Sequence, residues 1–318
     1  MAATQFRADG TLQHLLTLDG LSRRQLEQLL DRAQSHVRPL GKPPSQNQKL
    51  AGVTVATLFT EPSTRTRVSF ELAAQRLGAQ VASVEMQLSS RLKGESMLDT
   101  VYTLEALHVD CFVLRDAEAS VPDLVAEAVA PHVSVLSGGA GSYSHPTQGL
   151  LDSLTVLQRK GKFEGLTIAI VGDVRHSRVA RSAWQAFTTL GVSELRIAGP
   201  EALLPPAGEF SGTRRCHSVA DAVRNADVIM MLRIQKERMA QADIPDGAAY
   251  FTEWGLNATR LQLAKKDAIV MHPQPMNRGV EIDGAVADGR QSAIRDQVRN
   301  GVSVRMAVLE MVIEGRGR

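Results

Sequence analysis

The 318 residues include only two cysteines, Cys111 and Cys216, far apart and without CxxC spacing. That argues against a disulfide framework or a cysteine-based zinc site, and the expectation is reduced thiols, no metal and no cofactor. Aromatic residues make up 4% of the chain, which leaves few platforms for stacking bases. Basic residues number 36 against 34 acidic ones, a formal net charge of +2, so the whole chain has no electrostatic footprint for nucleic acid. No apolar run reaches the roughly 18 residues that span a bilayer. The opening MAATQFRADG does not follow the charged-then-apolar order of a signal peptide. The expectation is a cytosolic protein with no membrane and no nucleic-acid partner. GxxxxGK[ST], GxGxxG and GxSxG are absent too, which disfavours nucleoside triphosphate hydrolysis, dinucleotide binding and a serine nucleophile elbow.

What is present is an ordinary core-forming composition, 43% hydrophobic, in a chain long enough for two domains. Ser22 and Gln25 have capping-box spacing, and Leu26, Leu29, Leu30, Ala33 and Val37 then share a helical face. Strands and helices alternate afterwards. Strands are expected at 52–59, 79–86, 110–115 and 133–139, with helices at 66–77, 98–107, 122–130 and 147–158 between and after them. The polar, glycine-bounded GKFEGL at 161–166 marks a break, and the domain change is placed near it or in the helix just before. Alternation then restarts, with strands at 166–173, 194–199, 227–233 and 267–273, helices at 180–190 and 219–224, and a last helix at 302–313. Two such runs imply an α/β fold with two doubly wound domains, mainly parallel sheets and an active-site cleft between the domains. The expected division is 1–149 and 150–301, with the terminal helix, 302–318, packing back on the first domain.

The stretch TEPSTRTRVSFELAAQRLGA at 60–79 places Ser63, Thr64, Arg65, Thr66 and Arg67 between a strand and an apolar helical face at Phe70, Ala73, Ala74 and Leu77. The polar cluster therefore occupies the turn and the first helical turn. Backbone N–H groups there lack intrahelical partners and carry partial positive charge, so added hydroxyls and guanidinium groups describe a phosphate-like anion site. Ser63 as a simple N-cap with solvated arginines is the alternative, but arginine at a helix N-terminus opposes the macrodipole.

In open parallel sheets ligands bind beyond the carboxyl ends of the strands. Reading those ends together yields Arg65, Arg115, Arg178 and Arg233 at four of them, with Gln235 near the last. The other two carry His145, followed by Gln148, and His272, followed by the turn PQPMNRG. Cations and hydroxyls from two domains describe a cleft for multiply anionic substrates, closed by domain motion.

STRTR at 63–67, SSRLKGE at 89–95, HPTQGLLD at 145–152, RIQKER at 233–238 and HPQPMNRGVEI at 272–282 occur in an order that resembles the aspartate/ornithine transcarbamylase family. The resemblance runs from about residue 15 to the C-terminus. Within the family, the lysine loop, RxQKER and HPxP together resemble the aspartate-using catalytic chains. It implies transfer of a carbamoyl group from carbamoyl phosphate to the α-amine of L-aspartate, in pyrimidine (UMP) biosynthesis.

By this resemblance, carbamoyl phosphate contacts fall on Ser63, Thr64, Arg65, Thr66, Arg115, His145 and Gln148. Thr66, Arg115 and His145 would polarise the carbamoyl carbonyl, and Gln148 would bind its nitrogen. Aspartate contacts fall on Arg178, Arg233, Gln235, Pro273 and Gln274. Lys93 would reach both substrates, and Ser89 and Lys93 would enter the neighbouring subunit's site, which implies a homotrimer with shared active sites. Glu61 is expected to pair with Arg178 or Arg233. Gln274 departs from the leucine or glycine frequent there, where the family uses backbone carbonyls. Met276 and NRGVEI resemble the branch assembling with dihydroorotase-like chains more than the branch with regulatory chains.

Overall fold

The computed structural model describes residues 5–84, 94–235 and 246–316. They form two parallel-sheet α/β units, the first comprising the chain to Leu151 and the segment from Asn300 onward, the second Asp152–Arg299.

In the first unit, α1 (Arg23–His36) starts at the expected capping box: the Ser22 hydroxyl accepts from the Gln25 N–H, and the Gln25 side chain accepts from the Ser22 N–H. Its buried positions are Leu26, Leu29, Leu30, Ala33 and His36. The alternation continues through β1 (Thr54–Phe59), α2 (Thr64–Arg76), β2 (Gln80–Val84), α3 (Met97–Ala106), β3 (Cys111–Asp116), α4 (Val121–Ala128), β4 (Ser134–Ala140) and α5 (Pro146–Lys160). The sheet is parallel with order β2-β1-β3-β4. Strands β1, β3 and β4 are buried on both faces, which explains why they read as unbroken apolar runs. The free edge of β4 is lined by residues 14–16. Leu15 exchanges backbone bonds with Val135 and Ser137, and the buried His14 Nδ1 accepts the Val135 N–H at 3.0 Å.

The second unit contains β5 (Thr167–Val171), α6 (Arg178–Thr189), β6 (Glu194–Ala198), β7 (Thr213–Cys216), α7 (Val219–Val223), β8 (Val228–Met231), α8 (Gly247–Trp254), α9 (Ala258–Leu261), β9 (Ile269–Met271) and α10 (Gly284–Ala287). Its parallel sheet has order β7-β6-β5-β8-β9. Strand β7, TRRC, escapes the sequence reading because it is an edge with only one buried residue, so no apolar run marks it. The short helices α8, α9 and α10 were not anticipated either. The last helix, α11 (Ile294–Glu314), starts eight residues before the expected 302. The polar 294–301 and Gly301 hid this start. A Cβ on Gly301 would lie 2.7 Å from Arg305 Nη1, so glycine there permits close packing rather than breaking the helix. The unit boundaries fall within α5 and α11.

Each sheet reverses its direction of growth once. In the first, the chain goes from β1 outward to β2, then back to β3 and β4 on the other side. In the second, it goes from β5 to β6 and β7, then back to β8 and β9. Two crevices of the kind that bind ligands in such sheets therefore lie at the carboxyl ends of β1 with β3 and of β5 with β8. Among the described residues no helix is long and apolar enough to cross a membrane. Cys111 and Cys216 are free and buried, and burial pushes their thiols up to about 12 and about 11. They are accordingly poor nucleophiles at neutral pH.

Candidate functional site

At the first crevice, β1 runs into the polar turn and α2 begins at Thr64. Ser63 occupies the N-cap position with φ −160° and ψ 84°, and its side chain makes no capping hydrogen bond. The simple side-chain cap is therefore not what the turn adopts: the Ser63 carbonyl accepts the Arg67 N–H at 3.2 Å, and its hydroxyl takes none of the first-turn amides. Thr64 and Arg65 are exposed, Ser63 is half-buried and Thr66 is buried. The helix ends as its sequence predicts, with Leu77 as C-cap and Gly78 at φ +84°.

Arg115 lies at the end of β3 rather than in the loop beyond it. The register there runs Leu114 to Ser137 and then Asp116 to Ala140, so Gly138 and Gly139 together oppose the single Arg115. This bulge re-aims the strand end, and Arg115 Nη1 donates to the Gly138 carbonyl at 3.2 Å. The bulged residues must be small: a Cβ on Gly138 would sit 3.2 Å from the Leu114 carbonyl and from the Phe59 ring. Glu61 makes an ion pair with Arg115 Nε at 3.3 Å.

After β4 the chain turns tightly, Ser144 pairing with Ala140, and the Ser144 hydroxyl donates to the Leu16 carbonyl at 2.8 Å. This delivers His145 to the start of α5, where Pro146 fits the first helical position. The His145 carbonyl accepts from the Gln148 N–H at 2.9 Å, and both residues are buried. Strands β1, β3 and β4 are consecutive neighbours, so the 63–66 turn, Arg115 and His145 issue from adjacent strand ends.

Behind α2 stands a residue that sequence reasoning missed. The Arg305 guanidinium of α11 is buried, sits 4.9 Å over the Phe70 ring of α2, and donates to the Gly301 carbonyl at 2.9 Å. Burial lowers its pKa to about 9, which leaves it charged at neutral pH. An arginine inside the apolar stretch 302–313 was the available signal.

At the second crevice, α6 starts at the buried Arg178, capped by the Ser177 hydroxyl accepting from the Ala180 N–H at 3.1 Å. Across the switch point, β8 leads into 232–235. The Leu232 N–H donates to the Val171 carbonyl at 2.8 Å, so this segment continues the sheet. Arg233 Nη2 donates to Gln235 Oε1 at 3.2 Å, and the Gln235 amide donates to the Arg233 carbonyl at the same distance.

The organiser of this crevice is Asp173, fully buried and given no role from sequence. Its Oδ1 accepts from the His176 backbone and ring nitrogens, at 3.2 and 2.8 Å, and its Oδ2 accepts the Gln235 N–H at 3.0 Å. Gly172 makes this possible. It has φ +127°, and a Cβ there would lie 2.6 Å from the Leu232 carbonyl.

His272 follows β9, at the strand end where the sequence places it. It is buried, its Nε2 is 3.2 Å from Glu281 Oε1, and its Nδ1 accepts the Gln274 N–H at 2.9 Å. It is tied into the interior, and Pro273 and Gln274 are the half-buried residues beside it. Ser89 and Lys93, as well as Lys236, lie outside the described residues.

Two family matches cover most of the chain. The carbamoyl-P binding domain of aspartate/ornithine carbamoyltransferases matches residues 13–158, and the Asp/Orn binding domain of the same family matches residues 164–312. Among solved structures, the chain is similar to aspartate transcarbamoylase from Trypanosoma cruzi in complex with carbamoyl phosphate, at 30% identity and TM-score 0.86, covering 95% of this chain and 96% of that one. The same T. cruzi enzyme with carbamoyl phosphate and aspartate matches at 29% identity and TM-score 0.85, covering 95% and 97%. An ornithine carbamoyltransferase from Pyrococcus furiosus matches at 30% identity and TM-score 0.82, again covering 95% and 97%.

Proposed function

The chain belongs to the aspartate/ornithine carbamoyltransferase family, and on that premise we propose that it carbamoylates the α-amine of L-aspartate. Carbamoyl phosphate is the donor, and the products are N-carbamoyl-L-aspartate and phosphate, in cytoplasmic de novo pyrimidine biosynthesis. The observation that carries the choice of acceptor is the makeup of the second crevice. Arg178 starts the helix after β5 and Arg233 follows β8, while Asp173 at the end of β5 has its two oxygens engaged by His176 and by the Gln235 backbone. An acceptor with two carboxylates matches such cations, whereas the ammonium of an ornithine side chain would be repelled. Each charge-assisted hydrogen bond contributes about 1.5–3 kcal/mol, so exchanging two for like-charge contacts discriminates strongly.

In this reading residues 1–149 with 302–318 bind carbamoyl phosphate. Ser63, Thr64, Arg65 and Thr66 hold the phosphate with the first-turn amides of α2. Thr66, Arg115 and His145 polarise the carbamoyl oxygen, and Gln148 binds the carbamoyl nitrogen. Residues 150–301 bind aspartate through Arg178, Arg233, Gln235, Pro273 and Gln274. The aspartate amine attacks the carbamoyl carbon, a tetrahedral oxyanion forms, and the C–O bond to phosphate breaks. The departing phosphate takes the amine proton, so no covalent enzyme intermediate is involved. Rate enhancement comes from positioning two anions and from donors preorganised around the developing oxyanion. Ser89 and Lys93 complete the site of a neighbouring copy, which makes a homotrimer the working unit. Larger assembly with dihydroorotase-like or regulatory chains is part of the same reading.

The test is purified protein with carbamoyl phosphate and either L-aspartate or L-ornithine, with carbamoylated product measured. Product with aspartate alone is expected. Product only with ornithine overturns the acceptor, and no product with either points to a catalytically silent scaffold.

A further inference from the structure

We infer that His272 and Glu281 are a positioning pair that holds the 273–277 loop in its binding shape and so governs acceptor affinity without touching reacting atoms. The inference rests on the acceptor role proposed above for Pro273 and Gln274.

Both side chains are completely buried. The hydrogen bonds assign the histidine tautomer: Nδ1 accepts the Gln274 N–H at 2.9 Å, so the ring proton sits on Nε2 and is donated to Glu281 Oε1 at 3.2 Å. The same carboxylate oxygen accepts the Asn277 N–H. Two backbone amides of the loop, three residues apart, are thus held by one imidazole–carboxylate unit. That unit is anchored from behind. The His272 N–H donates to Gln297 Oε1 at 2.8 Å, and Gln297 Nε2 donates to Asp152 Oδ1 at 2.8 Å, which ties the loop to α11 and α5. At its far end the Glu281 carbonyl accepts the Leu256 N–H at 3.0 Å, and the Gly279 N–H donates to Ile282 at 2.9 Å.

The loop requires holding because Gln274 sits at φ +59°, a left-handed conformation that a side chain bearing a Cβ adopts only when its surroundings impose it. The amide pinned by His272 Nδ1 belongs to that same residue. The pair works through acceptor geometry rather than charge. Both amide-directed bonds and the histidine bond use Glu281 Oε1 or His272 Nδ1, whereas Glu281 Oε2 and the buried Tyr250 hydroxyl have no hydrogen-bond partner among the described residues. A glutamine at 281 can therefore keep the oxygen the loop uses, and a leucine cannot.

The test compares Glu281→Gln, Glu281→Leu and His272→Gln with the parent protein. Acceptor KM is measured at saturating carbamoyl phosphate, carbamoyl phosphate KM at saturating acceptor, and amide hydrogen exchange at Gln274 and Asn277. Glu281→Leu is expected to raise acceptor KM about tenfold or more with kcat and carbamoyl phosphate KM within about threefold, and to speed exchange at Asn277 about tenfold. Glu281→Gln should stay within about threefold of the parent in every readout. His272→Gln, which retains a donor toward Glu281 but loses the acceptor at Nδ1, should deprotect Gln274 and leave Asn277 protected.

Unchanged exchange at both amides in Glu281→Leu or His272→Gln overturns the pair as the loop's support. Faster exchange with unaltered acceptor KM overturns its link to binding, as does an equal loss for both substrates. Glu281→Gln as damaged as Glu281→Leu overturns the argument from geometry. Should Glu281→Leu not fold, the other two variants decide. If the parent uses ornithine or turns over neither amine, the acceptor reading fails on its own, and the exchange measurements still judge the pair.

Discussion

Asp173 Oδ2 and the Gln235 backbone N–H are 3.0 Å apart, joining the end of β5 to the segment after β8 across 62 positions of chain. The other Asp173 oxygen is held by His176, so one buried carboxylate orients both lips of the second crevice. Replacement by alanine removes the acceptor of three half-buried donors, at up to about 1–3 kcal/mol each before solvent takes its share. Asp173→Ala is therefore expected to lower stability by about 2–4 kcal/mol in denaturant titration. Acceptor KM should rise at least about tenfold, well beyond any change in carbamoyl phosphate KM.

Gly172 tests the same crevice through sterics. Gly172→Ala places a methyl 2.6 Å from the Leu232 carbonyl at a φ of +127°, where neither the neighbouring backbone nor the substituted residue can yield cheaply. A stability loss of about 2–4 kcal/mol is expected by chemical denaturation. Unchanged stability would mean that β5 and the 232–235 segment part easily.

Arg65 is exposed in the first turn of α2, and exposed substitutions away from packing alter stability by about 0.5 kcal/mol or less. If it binds the phosphate as proposed, Arg65→Ala should cut kcat/KM by about a thousandfold or more, with circular dichroism and thermal midpoint near those of the parent. A variant that loses its fold along with its activity would make Arg65 structural.

Shared sites predict complementation. Lys93→Ala and His145→Ala homo-oligomers should each be nearly inactive, and mixing them through reversible dissociation should restore activity toward about one third of the parental level per mixed trimer with one intact site. Confirmed mixed trimers without recovered activity would argue for sites complete within one chain.

His14 supplies a pH dependence with a defined sign. Burial, with the Arg7 charge adding to it, lowers its pKa from 6.5 to about 4, and its Nδ1 accepts the Val135 N–H only while unprotonated. The unfolded chain takes up this proton below about 6.5 and the folded one only near 4, so stability is full above 6.5 and falls as pH drops through that window. The loss attributable to this group reaches about 3 kcal/mol. His14→Asn, which can keep an acceptor at the Nδ1 position and does not titrate, should flatten the difference between unfolding free energies at pH 7 and pH 4. Parallel pH profiles for the two proteins would remove His14 from the account.

Much of the scaffold was legible because its causes are local. The capping box at Ser22 and Gln25, the buried runs of β1 and β4, and the polar turn before α2 with its Gly78 stop each depend on residues within one or two turns of one another. Strand β7 was not legible, since an edge strand with one buried side chain carries no apolar pattern. Nor was the early start of α11, where Gly301 serves close packing. The strand-end residues Arg115 and Arg178 could be singled out by position, but not the bulge that seats the one nor the Ser177 cap that starts the other's helix.

The sequence by itself determined the alternation of strands and helices, the polar cluster at 63–67 and the ordered motifs that resemble one enzyme family, because periodicity, capping and turn chemistry act over a few residues. Only the tertiary structure decided which strand ends are neighbours, that Asp173 joins segments far apart in the chain, and that His272 turns inward to Glu281. Strand order chooses those partners, and the hydrogen-bonding demand of a buried carboxylate or imidazole can be assigned only once the groups beside it are known.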